Sequence, residues 1–508
     1  MKNLILLGLL FILSFDICGQ GLNHHYLLGD WPYADPPWTT SGKAKILITN
    51  SNATMYSELR EMNFISGSQA NISDSSGNLL FYTNGLYIAN ALGDTMQDGD
   101  SLNPGAFSNA YWPYGFPIPA MQIAIPYPDS VHKFILFHQT GNNYDGLNSP
   151  GLMYSIIDMD ADSGRGAVTL KNQYVFNDEI GFGLAACKHA NGRDWWITAM
   201  KDSTDSIYVV LLTPSGITSI STQKLYVPTH VTFASQCAFS PNGKKFAYTH
   251  FIPPFGNAYR DLRIFDFDRC TGLFSNTNLI VFPPPNNEGF GLSFSGNSKY
   301  LYLATHNFIY QFNVDSSNIP VSQQLVATYD GYCFSPGNLC TEFWYMYLAA
   351  NGRIYISSNN SLLYNVIDSP DSGGVACNVL QHSFASPTYI SRNHVAHPNY
   401  YLGCDTTLGC GCATGFQQTA QHDFNFRVYP NPFNQAKSNL HIGYLLPQYR
   451  SGILKIMDYT GKIIYTQYLP PFTNEQSIKL PALTVGIYLC LVESGNYHAT
   501  KKLVVVHE

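Results

Sequence analysis

The chain has 508 residues, of which 31 are Phe, 6 Trp and 35 Tyr, while Asp, Glu, Lys and Arg together make up only 12%, roughly half the usual share. So much apolar side chain offsets the entropy of ordering and excludes a largely disordered chain; the length excludes one non-repetitive core, since such cores stop growing near about 250–300 residues. The formal charge of −7 is unevenly spread, because eight Lys/Arg stand against four Asp/Glu from Phe424 onward, a net +4 that leaves −11 for what precedes it. An acidic body with no Lys/Arg cluster argues against nucleic acid as a partner, whose binding is dominated by phosphate neutralisation.

Lys2 is followed by the apolar run Leu4 to Leu13 and a mixed stretch to Gln20. The pattern predicts an export signal over residues 1–19, too short to span a bilayer, with the small residue Gly19 before the cut. Cys18 as a lipid-anchored residue fits poorly, because Phe15, Asp16 and Ile17 precede it where small residues belong. No other stretch approaches 18 apolar residues, so the exported chain is expected to have no membrane span.

From there the chain repeats itself. A turn with Gly and a polar neighbour precedes a strongly apolar strand at Ser76 Gly77 Asn78, Asn191 Gly192 Arg193, Asn242 Gly243 Lys244, Gly296 Asn297 Ser298 and Asn351 Gly352 Arg353. Gly or Asn supplies the positive φ of a hairpin turn. With the first gap counted as two units, the glycines at 77, 192, 243, 296 and 352 recur every 55 residues on average. Strands such as Trp195 Trp196 Ile197 and Tyr300 Leu301 Tyr302 Leu303 have no polar face, so both sides of their sheets must be covered. Small sheets stacked around an axis cover one another on both faces, which is a β-propeller. Residues 24–404 hold about seven such units, the seventh shared between the two ends of the segment; six is the count if residues 24–60 are only an ornament.

Two segments concentrate aromatic residues between the strands: Trp31, Tyr33 and Trp38 in one, Tyr111, Trp112, Tyr114 and Phe116 in the other. Loops normally avoid so many large rings. Exposed, they would suit sugar stacking or peptide capture; buried, they would plug the space between blades.

The runs Asn71 to Gly85, Lys188 to Trp196 and Phe239 to Lys245 resemble the propeller passengers of Gram-negative proteins secreted by the type IX pathway. After a Gly-, Thr-, Gln- and Cys-rich stretch over 405–425 that reads as a linker, residues 426–508 show alternating strands in Leu454 to Met457, Ile463 to Tyr465 and Ile487 to Leu491, the pattern of a small β-sandwich. This module is similar to the type A sorting domain of that pathway, through Tyr429 Pro430 Asn431 Pro432, the Gly486 Ile487 Tyr488 Leu489 run and the closing Lys501 Lys502 Leu503. The resemblance implies export through the periplasm, recognition by the outer-membrane machinery, proteolytic removal of the module, and a passenger that is secreted or held at the cell surface. The chain's end, His507 Glu508, replaces the usual basic residue.

No standard catalytic motif is present: no HExxH, no GxSxG and no phosphate loop opening a helix. Gly181 Phe182 Gly183 and Gly289 Phe290 Gly291 precede strands and read as blade starts. Asp158, Asp160 and Asp162 depart from a calcium loop at Ser163 and Thr169 and read as a solvated hairpin rim. His394 and His397 would fall on opposite faces of one strand, so they are expected to be structural. Without Cys18, ten cysteines remain; Cys333 and Cys340 are placed to staple a loop, while Cys404, Cys410 and Cys412 cluster without the regular spacing of a zinc site. Cys187, Cys237 and Cys490 lie in apolar strands as core residues. The reading is therefore all-β, with no catalytic residue, metal or cofactor assigned. The expected function is to bind a glycan, peptide or protein outside the cell; the alternative is a glycoside hydrolase or lyase-like propeller enzyme working from the central funnel.

Overall fold

The repeated turns close hairpins as their residue types require. In each, the fourth residue donates its amide to the first carbonyl: Gly77 to Asp74, Gly192 to His189, Gly243 to Ser240, Ser298 to Ser295 and Gly352 to Ala349. Four of these positions are glycines with φ between 71° and 87°, and the fifth is Ser298 at φ 65°. Gly296, counted with the turn glycines from sequence, is therefore two residues out of register. The Ser298 hydroxyl accepts from the Asn242 amide of the preceding blade's turn at 2.9 Å, a bond that glycine at this position would lack.

The computed structural model describes residues 21–29, 42–49, 52–64, 68–117, 120–141, 148–227, 236–251, 260–282, 289–334, 339–358, 361–390, 394–413, 426–437, 439–444, 446, 452–458, 462–470, 475–494 and 497–506. The expected export signal, Trp31, Tyr33 and Trp38 lie outside them. The chain divides into two compact units after Ala413.

Among the described residues the first unit holds seven blade sheets in chain order and a separate two-stranded hairpin, Cys333–Phe334 with Leu339–Cys340. Blade 1 has three strands, His25–Leu28, Lys43–Ile48 and Ala53–Glu58. Blade 2 joins Ser68–Ser73, Leu79–Thr83 and Ile88–Asn90 to His394–Val395 from the far end of the unit, which pairs parallel to Ser68–Ser73. Blades 3 to 6 begin at Gln122–Pro126, Ile180–Lys188, Cys237–Phe239 and Gly289–Phe294, and blade 7 at Met346–Leu348, each with four strands. The two Gly-Phe-Gly segments thus stand at strand starts.

Shared cores show that the ring closes. One core joins Ile72 and Phe81 of blade 2, Ile123 of blade 3 and Leu184 of blade 4. Others join blades 4 and 5 through Trp196 and Tyr248, blades 5 and 6 through Leu262 and Leu301, and blades 6 and 7 through Tyr302 and Ile354. Tyr355 of blade 7 packs with Ile46 of blade 1, and Leu27 of blade 1 with Tyr82 of blade 2. Every blade thus covers its neighbours on both faces, so the architecture is a β-propeller of seven sheets. The sheet shared between the two chain ends is the second, and the three-stranded first sheet is wholly N-terminal.

Three disulfides are present, Cys333–Cys340, Cys404–Cys412 and Cys270–Cys410; Cys187, Cys237, Cys377 and Cys490 are buried thiols. The segment 404–413, whose composition suggested the start of a linker, is fixed to the propeller. Asp405 donates its amide to Ala190 and Ala413 to Asn191, and the Arg269 guanidinium donates to the Gly403 carbonyl at 2.7 Å.

In the second unit a three-stranded sheet and a five-stranded sheet share one core, with Phe426, Ile442 and Ile478 from the first and Leu454, Cys490 and Leu503 from the second. Among the described residues no helix is long and apolar enough to cross a membrane.

Candidate functional site

Two places in the propeller could meet a ligand: the aromatic loop between blades 2 and 3, and the central channel.

The loop is carried by a buried polar network. The His138 ring, enclosed on the second strand of blade 3, meets Asn103 Oδ1 at 2.6 Å through Nδ1 and Ser155 Oγ at 3.0 Å through Nε2. Asn103 Nδ2 donates to the Gly85 carbonyl, and its amide to Asn172 Oδ1. Burial pushes the His138 pKa down to about 3, so the ring is neutral at ordinary pH. These bonds hold the approach to a short helix, Ala106–Tyr111, against blades 2 and 3. The amides of Leu102 and Phe116 donate to Leu86 and Asn84, so the loop sits on the connection between the second and third strands of blade 2, opposite the tight-turn end.

Within the loop the aromatic residues divide by role. Phe107 and Phe116 are buried with Leu86, Met121 and Phe182, their rings 4.9 Å apart, and Tyr111 packs on Phe107 at 4.7 Å. Trp112 is 59% exposed and Tyr114 36%. Gly115, between the exposed Tyr114 and the buried Phe116, has φ +90°, and a Cβ there would stand 2.9 Å from that of Asn84. Of the three loop rings expected to bind, Tyr111 thus serves partly as packing, whereas Trp112 and Tyr114 face solvent. Tyr87 is the partner that sequence reasoning missed: its ring lies 6.0 Å from Trp112 at 51°. Nothing in the local pattern links positions 87 and 112; only the folding of the loop over residues 84–87 does.

The central channel contains a cavity of about 370 Å³ lined by first strands of the blades and by residues 394–401. Among the described residues lining it there is no Asp, Glu, Lys or Arg. Gln236 spans three blades, accepting from the amides of Leu292 and Met346 at 3.0 and 3.2 Å and donating to the Met346 carbonyl at 2.6 Å. His397 bridges the Tyr347 hydroxyl at 2.9 Å and the Asn71 carbonyl at 3.1 Å. Burial pushes the pKa values of His394 and His397 down to about 3 and about 4. Both rings have hydrogen-bond partners, and no group of three metal-ligating side chains occurs among the described residues. Carboxylates of the acidic rim of blade 3 have partners, the His132 ring 2.6 Å from Asp160 and Arg165 paired with Asp162 at 2.8 Å.

In the second unit most motif residues build the fold. Asn431 donates to the Lys502 carbonyl at 2.7 Å and accepts from the Val504 amide at 2.9 Å, so its side chain acts as an extra rung beside the last strand. Tyr429 stacks at 5.5 Å on His441, its register partner in the strand Leu440–Tyr444, and Pro430 and Pro432 flank Asn431 on the way into Phe433 of the core. Tyr488 and Leu503 are buried, and the Tyr488 hydroxyl reaches the Thr484 carbonyl at 2.9 Å. Gly486 opens the strand Gly486–Ser494. The residues that face outward alternate with these: Ile487 is 58% exposed and Leu489 41%, with Lys502 in register beside Leu489.

Comparison with known proteins agrees with this division. The family described as "Secretion system C-terminal sorting domain" matches residues 427–506, and no curated protein matches the chain. Among solved structures, a Bacteroides fragilis protein provisionally named a 6-phosphogluconolactonase is 11% identical, with TM-score 0.43, over 74% of this chain and 97% of its own. A Lactobacillus plantarum protein is 13% identical, with TM-score 0.43, over 73% and 98%. The periplasmic gluconolactonase of Pseudomonas aeruginosa is 11% identical, with TM-score 0.35, over 91% and 100%. At such identities and scores these likenesses carry nothing about activity. The chain is a β-propeller protein exported to the cell surface or beyond, and its residues 427–506 are a type IX secretion sorting domain.

Proposed function

We propose that the propeller is a binding protein that holds an extracellular glycan on the loop bearing Trp112 and Tyr114, after delivery by the sorting domain. The observation that carries the reading is the combination of an exposed Trp112 beside Tyr87 with a support made rigid by Asn103 and His138. A flat exposed indole stacks on the C–H face of a sugar ring, and a loop already fixed loses little entropy on binding. The export signal over residues 1–19 and the sandwich form of residues 426–508 belong to the same proposal. The type IX outer-membrane machinery would recognise the sorting domain and remove it. Trp31, Tyr33 and Trp38 are proposed as further binding residues.

The competing reading is a glycoside hydrolase or lyase-like enzyme acting from the channel. It would be favoured by two carboxylates at glycosidase spacing or by a carboxylate paired with a histidine; the described lining of the channel cavity contributes neither Asp nor Glu. The test is a glycan array probed with the passenger, followed by calorimetry on the best hit. Trp112→Ala should abolish binding at unchanged melting temperature, and Tyr174→Ala, an exposed ring on another strand, should leave it intact. Binding that survives Trp112→Ala removes the loop from the site, and capture of peptides in place of glycans changes the ligand class.

A further inference from the structure

The last residues of the propeller unit touch more of the ring than any single blade does. His394–Val395 completes blade 2, and His397 then ties Tyr347 of blade 7 to Asn71 of blade 2. Tyr400 is buried in the channel, its hydroxyl donating to Ala124 of blade 3 at 2.9 Å and its ring edge-on to Trp195 of blade 4 at 6.2 Å. Asn399 donates to Pro241 of the blade 5 turn, and the Leu22 amide donates to the Tyr401 hydroxyl at 2.8 Å. Beyond the channel, Cys410 is bonded to Cys270 across 140 residues of sequence, and Cys404 to Cys412. The chain thus runs from the closing strand, through the channel, to a cross-linked anchor on blades 4 and 5.

We infer that residues 394–413 are the clasp of the propeller, locked by Cys270–Cys410 and Cys404–Cys412, and that the sorting domain is separated C-terminal to Ala413, leaving the clasp in the mature passenger. This rests on the reading that the sorting domain is removed. Separation is hydrolysis of one peptide bond by a protease of the export pathway, with water supplying the hydroxyl of the new carboxylate and the proton of the new amine. Inside the clasp the backbone is unsuited to such a cut. A protease needs an extended, accessible strand, whereas the amides of Asp405 and Ala413 are bonded to the blade 4 turn and the Gly403 carbonyl is held by Arg269. A cut upstream of Cys404 would also free the channel strand from its anchor.

The experiment has two arms, both on the full chain produced in a type IX-competent host. In the first, the secreted protein is weighed intact and peptide-mapped without reduction. The expected result is a C-terminus at or beyond Ala413 and a Cys270–Cys410 cross-linked pair. A mature end upstream of Ala413, or a missing cross-link, overturns the inference. In the second arm, Cys270→Ser/Cys410→Ser is compared with Cys333→Ser/Cys340→Ser, whose bridge spans only 7 residues of sequence. The first pair should lower the propeller's melting temperature by several degrees and open residues 394–413 to added protease; the second should change both little. Equal behaviour of the two pairs overturns the clasp. If the secreted chain retains residues 427–506, removal of the sorting domain falls as a reading, while the second arm still decides the clasp.

Discussion

Trp195 and Trp196 are consecutive residues whose side chains are buried in different interfaces, 1% and 6% exposed. Trp195 lies in the core shared with blades 2 and 3, and Trp196 in the core shared with blade 5, where its indole N–H donates to the Arg269 carbonyl at 2.8 Å. Side chains alternate across a strand, so a strand with two adjacent indoles can hide both only if a sheet lies against each face.

That relationship fixes the first expected outcome. Trp195→Ala and Trp196→Ala should each destabilise the propeller by about 3–5 kcal/mol, the usual range for emptying a large buried aromatic site. The urea midpoint of the purified passenger measures it. A loss below about 1 kcal/mol for either would mean that its face is not sealed by a neighbour.

Acid should weaken the propeller in a defined window. His138, His394 and His397 are buried and neutral, with pKa values pushed down to about 3, about 3 and about 4, while an unfolded histidine takes up its proton near about 6.5. Between those values the unfolded chain binds more protons, so stability falls as pH drops from about 6.5 toward 4, by at most about 1.4 kcal/mol per pH unit for each ring. Urea midpoints measured from pH 7 to pH 4 should trace this decline. A level profile would show that the folded rings accept protons at ordinary pKa.

The turn glycines should differ in how much they tolerate. A Cβ at Gly352 meets nothing within 4 Å, whereas at Gly243 it would lie 2.6 Å from Arg269 Cδ and 2.7 Å from Cys187 Sγ. Gly352→Ala should therefore cost only the backbone penalty, about 1–2 kcal/mol, and Gly243→Ala distinctly more. Chemical denaturation of the two variants ranks them, and the reverse order would contradict the packing around Gly243.

Delivery depends on the second unit. A chain ending at Thr419 lacks the sorting domain and should be stranded in the periplasm, as cell fractionation and immunoblotting would show; its appearance outside the cell would remove that dependence. Asn431→Ala, which deletes two bonds to the last strand, should lower the stability of the sorting domain by about 1 kcal/mol.

The propeller was legible in the chain because its cause is local and repeated. Hairpin turns and two-sided apolar strands recur at a steady interval, and each needs the same neighbour on either side. The sorting domain was legible for a related reason, since Asn431, Tyr488 and Leu503 are motif residues that build the sheet. The slip at Gly296 marks where local reading fails: the left-handed position belongs to Ser298, whose hydroxyl bonds to another blade. The contact of Tyr87 with Trp112, the bond of Cys270 to Cys410, and the passage of residues 396–401 through the channel join positions far apart in sequence. Periodicity specifies which faces must be covered and where the chain turns. Which distant residue arrives at a given spot depends on closing the ring, and only the tertiary structure decides that.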